Sequence, residues 1–211
     1  MTDCVIVTSV VETSDKPLNY CNRRSNYTHK QRFEQTLETI DSVRKYMPST
    51  DIILVECSPP SKYMEELSKK VDYFFNLEFN DIVVNSPEKG KGEATMLLYV
   101  LSKLPKQYNN IYKITGRYLL QSTFDKSKWE ETNNITVCRT AKYGMNNGMH
   151  TFFYKIPSSC ILDLKNALEN YLLTENKCIE NYLATHLTNL TFLEHIGILV
   201  RWAVYNTTPI F

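Results

Sequence analysis

Long apolar runs are the first thing missing: no stretch of the chain approaches the ~20 consecutive apolar residues that a membrane-spanning helix needs. An excess of charge of one sign is missing too, because 24 Lys and Arg stand against 23 Asp and Glu, a formal net charge of +1. That excludes the broad basic field with which nucleic-acid binders hold phosphate backbones, so any anion site must be local. The six cysteines (Cys4, Cys21, Cys57, Cys138, Cys160, Cys178) form no CxxC pair and no zinc-ligand spacing. Cys4 and Cys57 fall inside apolar strand patterns, where a reduced cysteine packs as a small hydrophobe. Met1-Thr2-Asp3, followed by an apolar run only from Cys4 to Val7, lacks the basic region and the length of a secretory signal. A reducing, cytoplasmic location is the expectation, and the sequons at Asn26, Asn134, Asn189 and Asn206 then read as chance matches. Tryptophan is scarce, two against 14 tyrosines, and sheet faces use such rings more often than ligand sites do.

Familiar catalytic signatures are absent as well. There is no G-x-S-x-G elbow for a serine hydrolase and no H-E-x-x-H zinc motif. After the first apolar run, TSVVET offers no G-x-G-x-x-G for a dinucleotide. Gly90-Lys91 is not a P-loop, because Asn85 stands where the upstream glycine would. What remains is a chain of 211 residues, 43% hydrophobic, long enough for one full core and too short for two ordinary domains.

Its pattern begins strand, helix, strand, helix, strand. Cys4 to Val11 (CVIVTSVV) is apolar at nearly every position, as in a strand buried on both faces of a parallel sheet. Glu12 to Asn26 is a polar loop that carries Arg23 and Arg24. Thr28 to Gln31 forms a capping box, and Phe33, Leu37, Ile40 and Val43 follow at helical spacing to Tyr46, before Pro48. Asp51 to Cys57 is a second strand, Lys62 to Lys70 a short helix, and Asp72 to Leu77 a third strand. The tract Glu88-Lys89-Gly90-Lys91-Gly92-Glu93 is expected to be a turn before a helix from about Ala94 to Leu104. It either seats a phosphate on backbone N–H groups and lysine charge or is a solvated turn. Asn110 to Leu120 (NIYKITGRYLL) contains a fourth buried strand that delivers Thr115, Gly116, Arg117 and Tyr118 at its end. Strands at Ile135 to Arg139 and Met149 to Ile156, then helices from Pro157 to about Leu173 and from Lys177 to Leu190, complete the reading. The alternation predicts an α/β domain with right-handed crossovers and helices on both faces of the sheet. Ligands in such sheets bind at the carboxyl ends of the strands.

At those ends, Arg117 is either a bidentate clamp on a diphosphate or the partner of a strand-end carboxylate. Lys89, Lys91, Arg23 and Arg24, expected at the same edge, favour the clamp. Glu56 either accepts hydrogen bonds from a nucleoside or serves a helix cap. Glu180, in Cys178-Ile179-Glu180-Asn181, is either a general base on a sugar hydroxyl or an ordinary helix glutamate. His150 and His195 are candidate phosphate contacts or metal ligands, or structural histidines. Loops around Tyr118, Tyr143 and Asn146 to His150 are expected to shape an acceptor pocket.

The ordered set CVIVTSVV, DIILVEC, KGKGEA before a helix, YKITGRY, HTFFYKIP and IENYL resembles the GT-A-fold glycosyltransferases over essentially the whole chain. More closely it resembles the N-terminal glycosyltransferase domains of multidomain proteins with which large algal (chlorella) viruses build capsid glycans. The resemblance implies one GT-A-like domain over residues 1–211, with a mixed, mostly parallel central sheet. Its nucleotide-binding half would run to about residue 120, with an acceptor-side half beyond. The apolar end at Ile210-Phe211 reads as that of a domain excised from a longer chain, and a viral chain would work in the host cytoplasm.

The resemblance also implies transfer of a hexose or deoxyhexose from a UDP-sugar to a hydroxyl of a glycan or glycoprotein. Thr8, Ser9, Val10 and Glu56 would take the nucleoside, and Lys89, Lys91, Thr115, Gly116 and Arg117 the diphosphate. Tyr118 and His150 would lie beside the sugar or acceptor, with Glu180 and Arg117 catalytic. GT-A enzymes usually carry Asp-x-Asp at the end of the fourth strand, holding Mn2+ or Mg2+. Here the matching triplet is Thr115-Gly116-Arg117. Either Arg117 replaces the cation, or the ion is held by phosphate oxygens, water and His195. Two rivals stand beside this reading. A sugar nucleotidyltransferase would show G-x-G-x-R where TSVVETSDKP stands. A catalytically silent nucleotide- or glycan-binding module would share the missing Asp-x-Asp.

Overall fold

The computed structural model describes residues 2–138, 148–175, 177–194 and 196–203. The first half of the chain runs β1 (Cys4–Ser9), α1 (His29–Tyr46), β2 (Asp51–Glu56), α2 (Lys62–Ser68), β3 (Tyr73–Asn76), α3 (Asp81–Asn85), α4 (Lys89–Leu101) and β4 (Asn110–Thr115). The second half runs β5 (Leu119–Leu120), α5 (Lys126–Glu130), β6 (Ile135–Cys138), β7 (His150–Pro157), α6 (Ile161–Leu172), α7 (Ile179–His186), β8 (Leu190–Leu193) and β9 (Ile198–Leu199).

Seven strands form one sheet in the order β3-β2-β1-β4-β7-β6-β8, and β5 pairs with β9 apart from it. β1 is parallel to β2 and β4, and β2 to β3. β7 is antiparallel to β4 and β6, while β8 runs parallel to β6. The sheet is therefore mixed and mostly parallel, as expected. Its order reverses at β1: the chain builds outward to β3 on one side, then crosses back to place β4 on the other. Such a reversal opens a crevice at the carboxyl ends of the strands. Because β7 runs the opposite way, its first residues, His150 and Thr151, arrive at that same edge.

Alternate side chains of each strand feed two cores. Cys4 and Ile6 join Val55, Leu97, Val100, Ile111, Leu164 and Leu168 on the face covered by α4 and α6. Val5 and Val7 join Ile40, Val43, Ile52, Leu54, Tyr112 and Ile114 on the face covered by α1. Burial on both faces explains why the strands read as continuous apolar runs. The capping box of α1 is present: Gln31 N donates to Thr28 Oγ1 (3.2 Å) and Thr28 N to Gln31 Oε1 (2.9 Å).

Two expectations are corrected, and two short helices are added. The Lys-Gly tract is no turn, because α4 already begins at Lys89. Its glycines serve close packing: a Cβ on Gly92 would lie 2.9 Å from the Val83 carbonyl oxygen, and one on Gly90 2.8 Å from Ile179 Cβ. The last helix stops at His186 and gives way to β8, an edge strand hidden in what reads as helical periodicity. α3 and α5, five residues each, are too short to show a helical period and went unread. The loop with Tyr143 and Asn146, and His195, lie outside the described residues.

Candidate active site

At the switch point the structure opens a cavity of about 580 Å3. Thr8 and Ser9 from the end of β1, Thr115 from the end of β4 and His150 to Phe152 from the start of β7 form its floor. Val10, Asn19, Tyr20 and Arg24 wall it from the loop after β1, Lys89 and Gly90 from α4, Cys178 to Glu180 from the start of α7, and Trp202 and Ala203 from the distal segment. Backbone bonds tie the walls together: Asn19 N donates to Pro87 O (3.0 Å) and Asn26 N to Ala203 O (2.6 Å).

Among the described residues, five cations line this cavity: Lys177 stands over the Tyr182 ring, 5.8 Å from its centroid, and the other four are Arg117, Arg32, Arg24 and Lys89. Arg117, 8% exposed, donates from Nε to Arg201 O (3.4 Å) and holds its guanidinium 5.5 Å from the Tyr118 ring centroid. Arg32, from the N-terminal part of α1, donates from Nε to Val10 O (2.6 Å) and from Nη1 to Ser25 Oγ (3.3 Å). Arg24 donates from Nη2 to Ser86 O, and its Nε is buried without a partner. Lys89 Nζ donates to Arg24 O (3.2 Å). Among the described residues, none of the four has a carboxylate within ion-pair distance. Burial and then the charge of Arg117 push the Arg32 pKa down to about 9. Burial, followed by the charges of Arg117, Arg32 and Arg24, holds Lys89 well below its ordinary value. Glu56 and Glu93 offset part of this repulsion from a distance, but crowded like charges with no carboxylate in ion-pair contact favour an anion between them.

Carboxylates occupy another part of the same cavity. Lys113, wholly buried under the floor, donates to Glu93 Oε1 (2.6 Å), Thr115 Oγ1 (2.9 Å) and Thr151 O (2.6 Å). With three acceptors already in place, the ammonium positions the floor instead of reaching a ligand. Glu180 accepts from Thr151 Oγ1 at Oε1 (3.3 Å) and from Cys178 Sγ at Oε2 (2.8 Å). Burial, with the charge of Glu93 beside it, raises the Glu180 pKa. His150 is 3% exposed against the Phe152 ring (4.8 Å between centroids), and burial pushes its pKa down to about 4, so its imidazole is neutral at pH 7.

The structure thus brings together Thr8, Ser9, Val10, Lys89, Thr115, Arg117, Tyr118, His150 and Glu180. Glu56, Lys91 and Gly116 do not face the cavity. Glu56 is fully buried, and its Oε1 accepts from Val11 N (2.9 Å), Cys57 N (2.9 Å) and Ser58 Oγ (2.7 Å). The nucleoside contact expected of it is corrected: it pins the loop after β1 to the tip of β2, satisfying backbone donors that are buried there. Lys91 turns to Glu88 (3.9 Å), since two residues advance a helix by roughly 200° and cannot face one cavity with Lys89. Gly116 sits beneath Ser9, its N–H bonded to Thr8 O (2.8 Å) and its carbonyl accepting from Thr36 Oγ1 (3.1 Å). Tyr118 is a wall residue, edge-on to Phe152 (5.4 Å) and Trp202 (6.5 Å). Of the basic pair, Arg24 lines the cavity and Arg23 is exposed elsewhere.

Sequence reasoning missed Arg32, Glu93 and Lys113. For Arg32 the one trace in the sequence is a first turn of α1 that holds no acid, although a helix N-terminus favours one, and this does not single out the arginine. Lys113 announced itself as a charge in the middle of an apolar strand.

Among the described residues, which do not include His195, a divalent ion finds no fitting set of ligands. Among the described residues, no cluster of three His, Cys, Asp or Glu side chains can hold a metal. The tip of β4, Thr115-Gly116-Arg117, offers no carboxylate, and Glu93 is committed to Lys113.

No family model matches the sequence, and none of the curated proteins compared with it matches. Solved structures do resemble the fold. The glycosyltransferase GlyE of Streptococcus pneumoniae TIGR4 superposes with a TM-score of 0.55 at 10% identity, over 92% of this chain and 46% of that one. The nucleoside-diphosphate-sugar pyrophosphorylase of Vibrio cholerae RC9 gives 0.51 at 10% identity, over 92% and 93%. A glycosyltransferase involved in the glycosylation of the major capsid of PBCV-1 gives 0.50 at 7% identity, over 90% and 81%. The strand order, the switch-point cavity and these likenesses establish a GT-A-like α/β fold for this chain.

Proposed function

We propose that the chain is a glycosyltransferase that moves a hexose or deoxyhexose from a UDP-sugar to a hydroxyl of a glycan or glycoprotein. The observation that carries this reading is the meeting of an unpaired cation cluster and Glu180 in one cavity at the switch point of a GT-A-like sheet. Thr8, Ser9 and Val10 border the nucleoside, and the diphosphate lies against Lys89 and Arg117. Tyr118 and His150 flank the sugar, His150 as a neutral hydrogen-bonding group. In an inverting transfer, Glu180 takes the proton of the acceptor hydroxyl as its oxygen bonds to the anomeric carbon. The bond from that carbon to the β-phosphate oxygen breaks, and its electron pair leaves with UDP. Holding donor and acceptor in line and stabilising the departing diphosphate supply the rate. A carboxylate with a raised pKa is the stronger base for this task. A capsid glycan as acceptor belongs to the same reading, supported by the PBCV-1 likeness.

A nucleotidyltransferase remains the second reading, supported by the pyrophosphorylase likeness. The products separate the two. Purified chain is incubated with UDP-sugars, with and without glycan acceptors, and separately with UTP and sugar phosphates. Acceptor-dependent UDP release is the expected result. Pyrophosphate release from UTP instead would transfer the site to the second reading, and neither product would leave a binding module.

A further inference from the structure

We propose that Arg24, Arg32, Lys89 and Arg117 neutralise the donor's diphosphate directly, so that this chain binds a nucleoside diphosphate without a divalent cation. The inference rests on the nucleotide-sugar reading above and deepens it by assigning the counter-charge.

Three observations point the same way. First, the four side chains come from four separate segments, the loop after β1, α1, the first residue of α4 and the tip of β4, yet they converge on one cavity. Among the described residues, none of them finds a carboxylate partner there. A metal ion would add positive charge to this cluster, whereas a diphosphate removes the repulsion. Second, Arg24 is only 6% exposed, and its Nε is buried with no hydrogen-bond partner. A buried donor left unpaired is costly, and because Arg24 lines the cavity, a small shift of its side chain toward a bound anion would satisfy it. Third, the helix that supplies Arg32 has Thr28 at its N-cap and no acid in its first turn, so its N-terminal dipole adds to the side-chain charge, whereas the N-cap of α4 is Glu88.

This arrangement suits the chemistry of the step. Breaking the bond to the sugar leaves one more negative charge on the diphosphate, and fixed guanidinium forks meet it without reorganisation. Arg117 stands two residues past the end of β4, in a tip (Thr115-Gly116-Arg117) that offers no carboxylate, so this strand end suits an anion and not a cation.

The test is calorimetric titration of the whole chain with UDP and with inorganic pyrophosphate, in excess EDTA and in millimolar Mn2+. The expected result is UDP binding of equal strength in both buffers, within about threefold, weakening steeply as salt is raised. Lys89→Met and Arg24→Gln each lower that affinity about tenfold in both buffers. Lys89→Met also raises the melting temperature of the ligand-free chain, because it removes a repelling charge; that readout shows the variant is folded. UDP binding that EDTA weakens more than tenfold and Mn2+ restores overturns the proposal while leaving the transferase reading intact. Pyrophosphate binding in EDTA without binding of any nucleotide keeps the cation cluster and removes the nucleotide-sugar reading. Binding of neither ligand in either buffer removes both.

Discussion

Lys113 Nζ lies 2.6 Å from Glu93 Oε1, with the lysine wholly buried under the cavity floor and the glutamate side chain 22% exposed. The pair joins β4 to α4, and the other two hydrogen bonds of Lys113 hold Thr115 at the end of its own strand and Thr151 at the start of neighbouring β7. It is the hinge between the fold and the site, because the same contacts that satisfy a buried charge fix the floor.

Lys113→Met leaves Glu93 beside an apolar stem and frees the Thr151 carbonyl. A loss of about 3 kcal/mol is expected, the low end for breaking a buried pair because Glu93 keeps some water. Urea unfolding measures it. Lys113→Met with Glu93→Gln should recover part of the loss; a double variant as unstable as the sum of the two singles would show that the pair carries no coupling.

Arg117→Ala removes a charge-assisted contact worth about 1.5–3 kcal/mol and should weaken UDP binding roughly 10- to 100-fold. Its own bonds to the protein are few, a 3.4 Å contact to Arg201 O and the Tyr118 ring, so the melting temperature should change little. Calorimetry beside a thermal melt reads both; unchanged affinity in the folded variant would take Arg117 out of the site.

Glu180 sets a pH dependence. Its pKa is raised, first by burial, so the base form appears only above the ordinary glutamate range. Transfer rate should climb as pH rises through that raised value and then level off. Glu180→Gln should erase this limb and lower kcat by about 100-fold or more. Stability carries the opposite sign: a carboxyl whose folded pKa exceeds its unfolded value stabilises fully below the unfolded pKa and loses that contribution as pH rises through the folded one. Glu180→Gln should therefore melt higher than the parent at neutral pH. A pH–rate profile and paired melts check both signs.

Gly90→Ala distinguishes a helical Lys-Gly tract from a solvated turn. In a solvated turn, a methyl group would cost nothing. In α4, that Cβ meets Ile179 Cβ at 2.8 Å and crowds the Tyr171 hydroxyl. The gain in helix propensity, about 1 kcal/mol, should be outweighed by overpacking of about 1–3 kcal/mol. A lowered melting temperature, with a weaker grip on UDP as α4 and α7 separate, is the expected outcome.

Legibility followed locality. The capping box Thr28–Gln31 and the end of α1 at Tyr46 could be read because capping and periodicity are local. β1, β2 and β4 could be read because burial on both faces makes a short run apolar throughout. β8 could not, since Leu190–Leu193 follows a true helix without a breaking residue and becomes a strand only by pairing with β6. Among site residues, Arg117 and Lys89 were marked by their strand-end and helix-start positions. Arg32 was hidden inside an amphipathic helix, where a basic residue normally faces water.

The amino-acid sequence by itself determined that this chain forms an α/β sheet with a polar, basic edge at its strand ends, because hydrophobic period and breaking residues act over a few neighbours. Only the tertiary structure decided which charges share that edge. Lys89 and Lys91 are two residues apart and face different ways, while Arg24 and Arg32 meet Lys89 and Arg117, which are distant from them in sequence, in one cavity. Helical rotation separates the first pair, and the crossover at β1 gathers the four, and neither can be read from residue types alone.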